Sequence, residues 1–182
     1  MLKAEDKDQF LAAQPTEITG LHDANVFHYI KVADIPFSRR KKILNSIWSY
    51  RWKHQPNGSL LKHKCRIYAD GSQQIYVIDF WDTYSPVVQW SSVCLMLILS
   101  SMLGLATRQV NFVQTFPQAP LEDDVYMQIP PGFAYDPPTH QLKQTDDPRF
   151  KDNQYCIKLK RNLYGCKQAS RNWFLFLTKG LQ

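Results

Sequence analysis

Residues 155–173 read YCIKLKRNLYGCKQASRNW. The first six residues alternate between two faces, with Tyr155, Ile157 and Leu159 inward, which predicts a largely buried strand. The Leu-Tyr-Gly triplet that follows predicts a turn, because glycine tolerates backbone angles that other residues avoid. A helix is expected to begin near Ala169. This order of strand, turn and helix indicates a domain that mixes α and β structure.

The stretch before this strand is rich in proline. Residues 117–148 hold seven of the eleven prolines of the chain. Proline lacks a backbone N–H and disrupts both helix interiors and central strands, so the stretch is predicted to be an irregular, acidic connection. Its paired acidic residues are interpreted as members of a solvated loop and not as metal ligands. These residues are Asp123, Asp124, Asp146 and Asp147.

Further upstream, residues 47–69 predict a β-hairpin with two different faces. Alternation over residues 47–53 separates three aromatic side chains from two basic ones. Asn57 and Gly58 favour a tight turn, and the returning strand over residues 60–69 adds three more basic residues on a shared face. We interpret the basic face as a phosphate-binding flap. The aromatic residues are Trp48, Tyr50 and Trp52, and the basic ones are Arg51, Lys53, Lys62, Lys64 and Arg66.

The positive charge of the chain is concentrated around this hairpin. Nine of the 22 Lys and Arg residues, and no acidic residue, lie between Phe37 and Arg66. The remainder of the chain holds 13 basic against 16 acidic residues, although the net charge of the whole is +6. A polyanionic partner fits this distribution. A solvated basic face without a ligand is the alternative.

The cysteine pattern indicates whether the chain holds disulfides or zinc and in which cellular compartment it folds. The four cysteines are scattered and form no C-x-x-C pair, which argues against a disulfide framework. His63 and Cys65 could be half of a metal site, but no second pair stands at ligand spacing, so no structural zinc is expected. An intracellular chain that is not secreted fits this pattern.

Residues 93–106 form a 14-residue apolar run, well short of the roughly 20 that span a bilayer. The run predicts a buried helix and no membrane association, with a strand next over residues 108–113.

Several ordered motifs resemble one family. They are KCR at 64–66, ADG at 69–71, TYSPV at 83–87, VYM at 125–127, PPGF at 130–133, KLK at 158–160, LYGCKQASR at 163–171, and Trp173. Together they resemble the reverse transcriptases of copia-type retrotransposons. The resemblance implies an α+β fold with the fingers and partial palm of a right-hand polymerase, without the later palm strands and the thumb.

The resemblance also implies three segments in the chain. Residues 1–36 would be a partly helical lead-in, with a weakly periodic short helix over residues 10–21. Residues 37–106 would be the fingers-like basic hairpin and the buried helix, and residues 107–182 the partial palm with its proline-rich connection. The expected partners are an RNA or DNA template-primer and a deoxynucleoside triphosphate.

The resemblance assigns roles residue by residue. Lys64 and Arg66 would hold the triphosphate of the nucleotide, a task that suits cationic donors. Phe116 would be the aromatic gate against the sugar, with core packing as the alternative, and Gln168 would line the pocket opposite that gate. From the basic face of the hairpin, and not from the resemblance, Arg51, Lys53 and Lys62 are expected to bind nucleic acid.

The catalytic carboxylates are the exception to this match. The family uses two Mg²⁺ ions held by an Asp on an early palm strand and by a later Asp pair, since such ions require hard anionic ligands. Asn111 stands at the position of the first Asp, and the Asp pair would follow Gln182. We therefore expect no metal or other cofactor on this chain and no polymerisation by it alone. Two alternatives remain: a non-catalytic nucleic-acid-binding module that uses residues 51–66, or a separate chain that supplies the missing palm.

Overall fold

The computed structural model describes residues 6–40 and 42–181. It mixes helices and strands, which confirms the α+β class. Five helices are described, α1 Lys7–Asp23, α2 Phe37–Arg40, α3 Trp90–Met102, α4 Thr115–Gln118 and α5 Ala169–Leu181. The seven described strands are β1 Phe27–Lys31, β2 Ser46–His54, β3 Leu60–Ala69, β4 Tyr126–Gln128, β5 Phe133–Asp136, β6 Gln141–Gln144 and β7 Tyr155–Leu159.

The predicted strand near residue 155 is confirmed as β7, the middle strand of an antiparallel three-stranded sheet in the order β1-β7-β4. Phe27 of β1 pairs with Leu159, and Tyr126 of β4 pairs with Lys158. Ile157 and Leu159 are buried on the main core side. Cys156 is buried as well, because a second small cluster around Ile35 covers the other face. The sheet therefore joins the first segment of the chain to the third, while the division at residues 36 and 106 stays a prediction.

The predicted hairpin is confirmed as β2 and β3, which pair antiparallel from Ser46↔Ala69 to Lys53↔Lys62. Gly58 in its turn has a φ of 84°, the left-handed region that glycine favours. A register shift between Lys53 and His54 loosens the pairing near the tip. The alternation of the two strands separates the basic and aromatic faces as predicted.

The predicted N-terminal helix is confirmed, and α1 extends beyond residues 10–21 at both ends. It covers the aromatic face of the hairpin. Phe10 is fully buried and lies 5.2 Å from the ring of Tyr50 and 4.8 Å from the ring of His63, measured between centroids. The side-chain amide of Gln14, also buried, donates to the Tyr50 hydroxyl at 2.8 Å. One side of the hairpin is thus held by packing, which leaves the basic side outward.

The proline-rich stretch is more regular than predicted. It contains the three short strands β4, β5 and β6, of which β4 lies at the edge of the central sheet and β5 pairs only with β6. Phe133 is buried against Trp48, with ring centroids 5.9 Å apart. The prediction of an irregular connection was wrong because buried side chains between the prolines, such as Met127 and Phe133, order short strands despite them.

The apolar run forms the helix α3 as predicted, but its predicted burial was wrong. Within the described residues only Ser100 of α3 is buried, and Leu97, Ile98 and Leu99 are about half exposed. The strand expected over residues 108–113 is also absent, since no described strand offers that segment a partner for its backbone groups. Among the described helices none is long and apolar enough to cross a membrane.

Burial of the thiols leads to a first prediction. Burial raises the pKa of Cys65 and Cys166 to about 11 and the pKa of Cys156 to about 12. Cys94 on α3 is more accessible than these three buried residues. Because the thiolate is the reactive form, we expect a disulfide reagent at pH 8 to titrate one thiol rapidly in the folded chain and four in urea. Cys94→Ser should abolish the rapid phase, and two or more rapid thiols in the native chain would contradict the fold.

Candidate functional site

The outward face of the hairpin gathers cations that lie opposite each other across two strands. Arg51 pairs in register with Lys64, and Lys53 pairs with Lys62. Like charges in direct opposition destabilise a β-ladder unless an anion lies between or above them. Arg66 extends this row toward the base of the hairpin, where it pairs with Ser49. The face encloses a small groove of about 30 Å³ between the strands.

The electrostatics of this basic face favour an anionic ligand. Burial and the neighbouring Arg66 lower the pKa of Lys64. Glu17 on α1 partly offsets the charge; burial raises the pKa of its carboxyl, while Arg66 and Lys64 oppose that rise. No carboxylate oxygen in the described ranges lies within 4.0 Å of a cationic nitrogen of the five basic residues. Phosphate oxygens would supply the missing negative charge.

The base of the hairpin carries an aromatic cluster centred on Tyr164. The central carbon of the Arg66 guanidinium lies 4.8 Å from the centroid of the Tyr164 ring. The Phe116 ring meets the same tyrosine edge-on at 5.4 Å, and Tyr68 lies 5.6 Å away. Arg66 and Phe116, which the sequence assigned to the nucleotide site, are therefore brought together through a residue between them.

A tight backbone contact holds Tyr164 in this place. The Ala69 amide donates to the Tyr164 carbonyl oxygen at 2.9 Å. Gly165 has a φ of 93°, and a Cβ built on it would overlap the Ala69 carbonyl oxygen. A Cβ on Gly71 would likewise overlap the carbonyl oxygen of Gly165. Glycine is required at both positions because two backbone segments approach each other without room for side chains.

Gln168 lies in a separate, buried network of hydrogen bonds. Its side-chain amide donates to the carbonyl oxygen of Asp79 at 2.8 Å and accepts from the amide of Gln74 at 3.0 Å. The Asp79 carboxylate pairs with Arg39 at 3.0 Å and is almost fully buried. Asp123 is near the same amide, and burial raises the pKa of its carboxyl. The network joins the segment after the hairpin to the turn before α5.

A large cavity lies beside this network, against α5. Its volume is about 810 Å³, and its walls include Trp81, Phe112 and Trp173 together with Asp123, Gln168 and Arg171. Phe112 meets Trp173 edge-on at 5.2 Å. Arg171 is paired with Asp82 at 3.2 Å, and the lining as a whole holds three acidic side chains against two basic ones. The cavity suits neutral or cationic groups better than phosphate.

Comparison with known proteins identifies the family. The family model described as reverse transcriptase (RNA-dependent DNA polymerase) matches residues 27–182, which is most of the chain. The chain belongs to this reverse transcriptase family. The match begins at the first residue of β1 and leaves α1 outside it.

The chain is also similar to curated polyproteins. It is 28% identical over 175 residues to the Retrovirus-related Pol polyprotein from transposon TNT 1-94 of Nicotiana tabacum, which covers 96% of this chain and 12% of that protein. It is 34% identical over 135 residues to the corresponding polyprotein from transposon RE1 of Arabidopsis thaliana, or 74% of this chain and 8% of that one. These relatives come from copia-type transposons, which confirms the copia-type resemblance. No solved structure matches the chain.

Asn111, which the sequence pattern predicts to stand at the position of the first catalytic carboxylate, lies in an exposed segment between α3 and α4. It is not among the described residues that line the cavity or the basic groove. Within the described chain no three His, Cys, Asp or Glu side chains are arranged to hold a metal ion. An amide offers one neutral oxygen and no charge, so the donor set present does not fit the Mg²⁺ ions of reverse transcriptases.

The structure of this reverse transcriptase chain thus divides the predicted site residues into three groups. Five cations share the basic face, Phe116 joins Arg66 through Tyr164, and Gln168 and Asn111 lie elsewhere. The roles predicted for these residues toward nucleotide stay predictions. Tyr164 received no role from sequence, although it stands within the LYG motif. No local pattern could reveal its contact with Arg66, because the two residues are far apart in the chain.

Proposed function

We propose that this chain supplies the fingers and a partial palm of a copia-type reverse transcriptase, and that its basic face binds phosphates of template-primer and incoming nucleotide. The observation that carries the proposal is a row of opposed cations with no carboxylate oxygen within 4.0 Å of their nitrogens in the described part of the chain, in a chain of this family. Arg66 and Lys64 would contact the triphosphate, and Arg51, Lys53 and Lys62 the nucleic-acid backbone. The position of Phe116 beside Tyr164 is compatible with packing against a sugar.

The same proposal holds that the chain does not add nucleotides by itself. Its support is Asn111, which is neutral and exposed where a metal-binding carboxylate is needed. Because the chain spans no more than 12% of the curated relatives, the activity of those larger proteins is an inference for this one. If a separate chain supplied the Asp pair, the combined site would still contain Asn111 in place of the first carboxylate. Such a complex is therefore expected to be inactive as well.

A non-catalytic nucleic-acid-binding module is the second candidate function. The observation that favours it is that the opposed pairs Arg51–Lys64 and Lys53–Lys62 continue along the hairpin toward its exposed tip. Contacts with phosphates alone bind nucleic acid without sequence preference. This function would need neither Asn111 nor a metal.

Replacing Lys62, Lys64 and Arg66 together by alanine tests the interface that both functions share. We expect single-stranded oligonucleotide affinity at low salt to fall by roughly tenfold to a hundredfold, because three phosphate contacts are lost. The slope of log affinity against log salt should become shallower by about two, since each contact with a single strand contributes about 0.7. Fluorescence anisotropy across a salt series measures both quantities.

A matched variant controls for net charge. Lys31, Lys151 and Lys179 are exposed and lie outside the hairpin, so their replacement by alanine removes the same charge from other surfaces. This control should bind nearly as the unchanged chain does. Equal loss in both triple variants would mean that the interaction depends on total charge and that the hairpin assignment is wrong.

A further inference from the structure

The guanidinium of Arg66 lies over the ring of Tyr164. Its central carbon is 4.8 Å from the ring centroid, and within the described ranges no hydrogen bond or ion pair engages its nitrogens. An arginine has five N–H donors that all lie in the plane of the group. A contact with the ring uses the positive charge and none of these N–H donors as hydrogen bonds, so the donors remain available for an anion.

Tyr164 is itself fixed from three directions. Its carbonyl oxygen accepts a hydrogen bond from the Ala69 amide, and the next residue, Gly165, packs closely against the Ala69 backbone. Its ring is flanked by Phe116 and Tyr68. The ring is therefore part of a rigid turn, whereas the long side chain of Arg66 would otherwise sample many rotamers.

We propose that Tyr164 is a positioning residue that orients the Arg66 guanidinium for a triphosphate and sets its distance from Phe116. The inference rests on the proposed function, since it assumes that Arg66 contacts the phosphates. Tyr164 acts through Arg66 and need not touch the ligand. Its aromatic face is the essential property, and its hydroxyl is not.

Binding of inorganic tripolyphosphate to the full 182-residue chain tests this role, with calorimetry at low salt as the readout. Tyr164→Leu should weaken binding by about threefold to tenfold, which corresponds to loss of one partly desolvated cation–π contact. Tyr164→Phe keeps the ring and should stay within about twofold of the unchanged chain. Arg66→Ala should weaken binding at least as much as Tyr164→Leu does.

The double variant Arg66→Ala with Tyr164→Leu decides how Tyr164 acts. Its affinity should equal that of Arg66→Ala alone, because Tyr164 has nothing left to position. If Tyr164→Leu weakens binding by the same factor in both backgrounds, or if Tyr164→Phe is as weak as Tyr164→Leu, the proposal is overturned. Circular dichroism checks folding, and Tyr164→Met, which keeps apolar volume without a ring, replaces the leucine variant if that one does not fold.

The measurements also distinguish failure of the positioning role of Tyr164 from failure of the proposed phosphate site. If Arg66→Ala binds tripolyphosphate as the unchanged chain does, the proposed phosphate site fails and the role of Tyr164 fails with it. If Arg66→Ala weakens binding while Tyr164→Leu does not, the phosphate site stands and only the positioning role is lost.

Discussion

Primer extension should appear only when Asn111→Asp is combined with the Asp-pair hairpin and thumb of the relatives, fused after residue 182. The fused Asp pair would supply two charged ligands, but with Asn111 the metal site would lack its third carboxylate and would be less able to activate the attacking 3′ hydroxyl and to stabilise the leaving oxygen. Loss of several kcal/mol of transition-state stabilisation corresponds to about a thousandfold or more in rate. The assay is extension of a labelled primer on poly(rA) with Mg²⁺ or Mn²⁺.

Four proteins make the comparison, namely the chain and its Asn111→Asp variant, each with and without the fused segment. Asn111→Leu in the fused protein is the matched control, since it changes the same exposed position without adding charge. Activity of the fused protein with Asn111 unchanged would show that the amide suffices as a ligand. Activity of the unfused chain as it stands would mean that its metal ligands lie elsewhere and would refute the argument from Asn111.

Gly165→Ala should lower the free energy of unfolding by more than about 4 kcal/mol, a loss that is exceptional for a single substitution. The new methyl group would overlap the Ala69 carbonyl oxygen, and backbone on both sides prevents a small local adjustment. Because small domains have only about 5–15 kcal/mol of stability in total, the variant should lose most of its cooperative unfolding transition. Urea unfolding followed by tryptophan fluorescence measures the effect.

Alanine substitutions at two other glycines distinguish the effect of a tight backbone contact from the effect of a left-handed backbone conformation. Gly58 also has a positive φ, but its Cβ would meet nothing within 4 Å, so Gly58→Ala should cost only about 1–2 kcal/mol. Gly180 lies in α5 with open space around it, and Gly180→Ala should be neutral or stabilise the helix by up to about 1 kcal/mol. Equal losses for Gly165→Ala and Gly58→Ala would show that the contact with Ala69 is not tight.

Sequence predicted those parts of the fold that depend on neighbouring residues. The hairpin followed from strict alternation and from Asn57–Gly58, and both signals are local. Strand β7 and helix α5 followed for the same reason. The basic face was predicted as well, because alternation alone decides which side chains of a strand share a face.

Features that depend on distant partners escaped prediction. A helix that is apolar on all sides normally indicates burial, but α3 has almost nothing packed on it in the described chain. The segment over residues 108–113 has strand-like composition but no neighbour to complete its hydrogen bonds. The contact of Arg66 with Tyr164 joins two segments whose relative placement only tertiary structure determines.

The pairing of β1 with β7 bears on how the protein is made. Phe27 of β1 pairs with Leu159 of β7, so on a ribosome that adds about 5–20 residues per second β1 remains without its partner for roughly 7 to 26 seconds. The hairpin, by contrast, can close within microseconds of leaving the exit tunnel. Until β7 is made, the nascent chain would therefore present the basic hairpin ahead of a completed central sheet. If the hairpin binds phosphates as proposed, its contact with nearby RNA, including the transcript being translated, would begin before that sheet is complete.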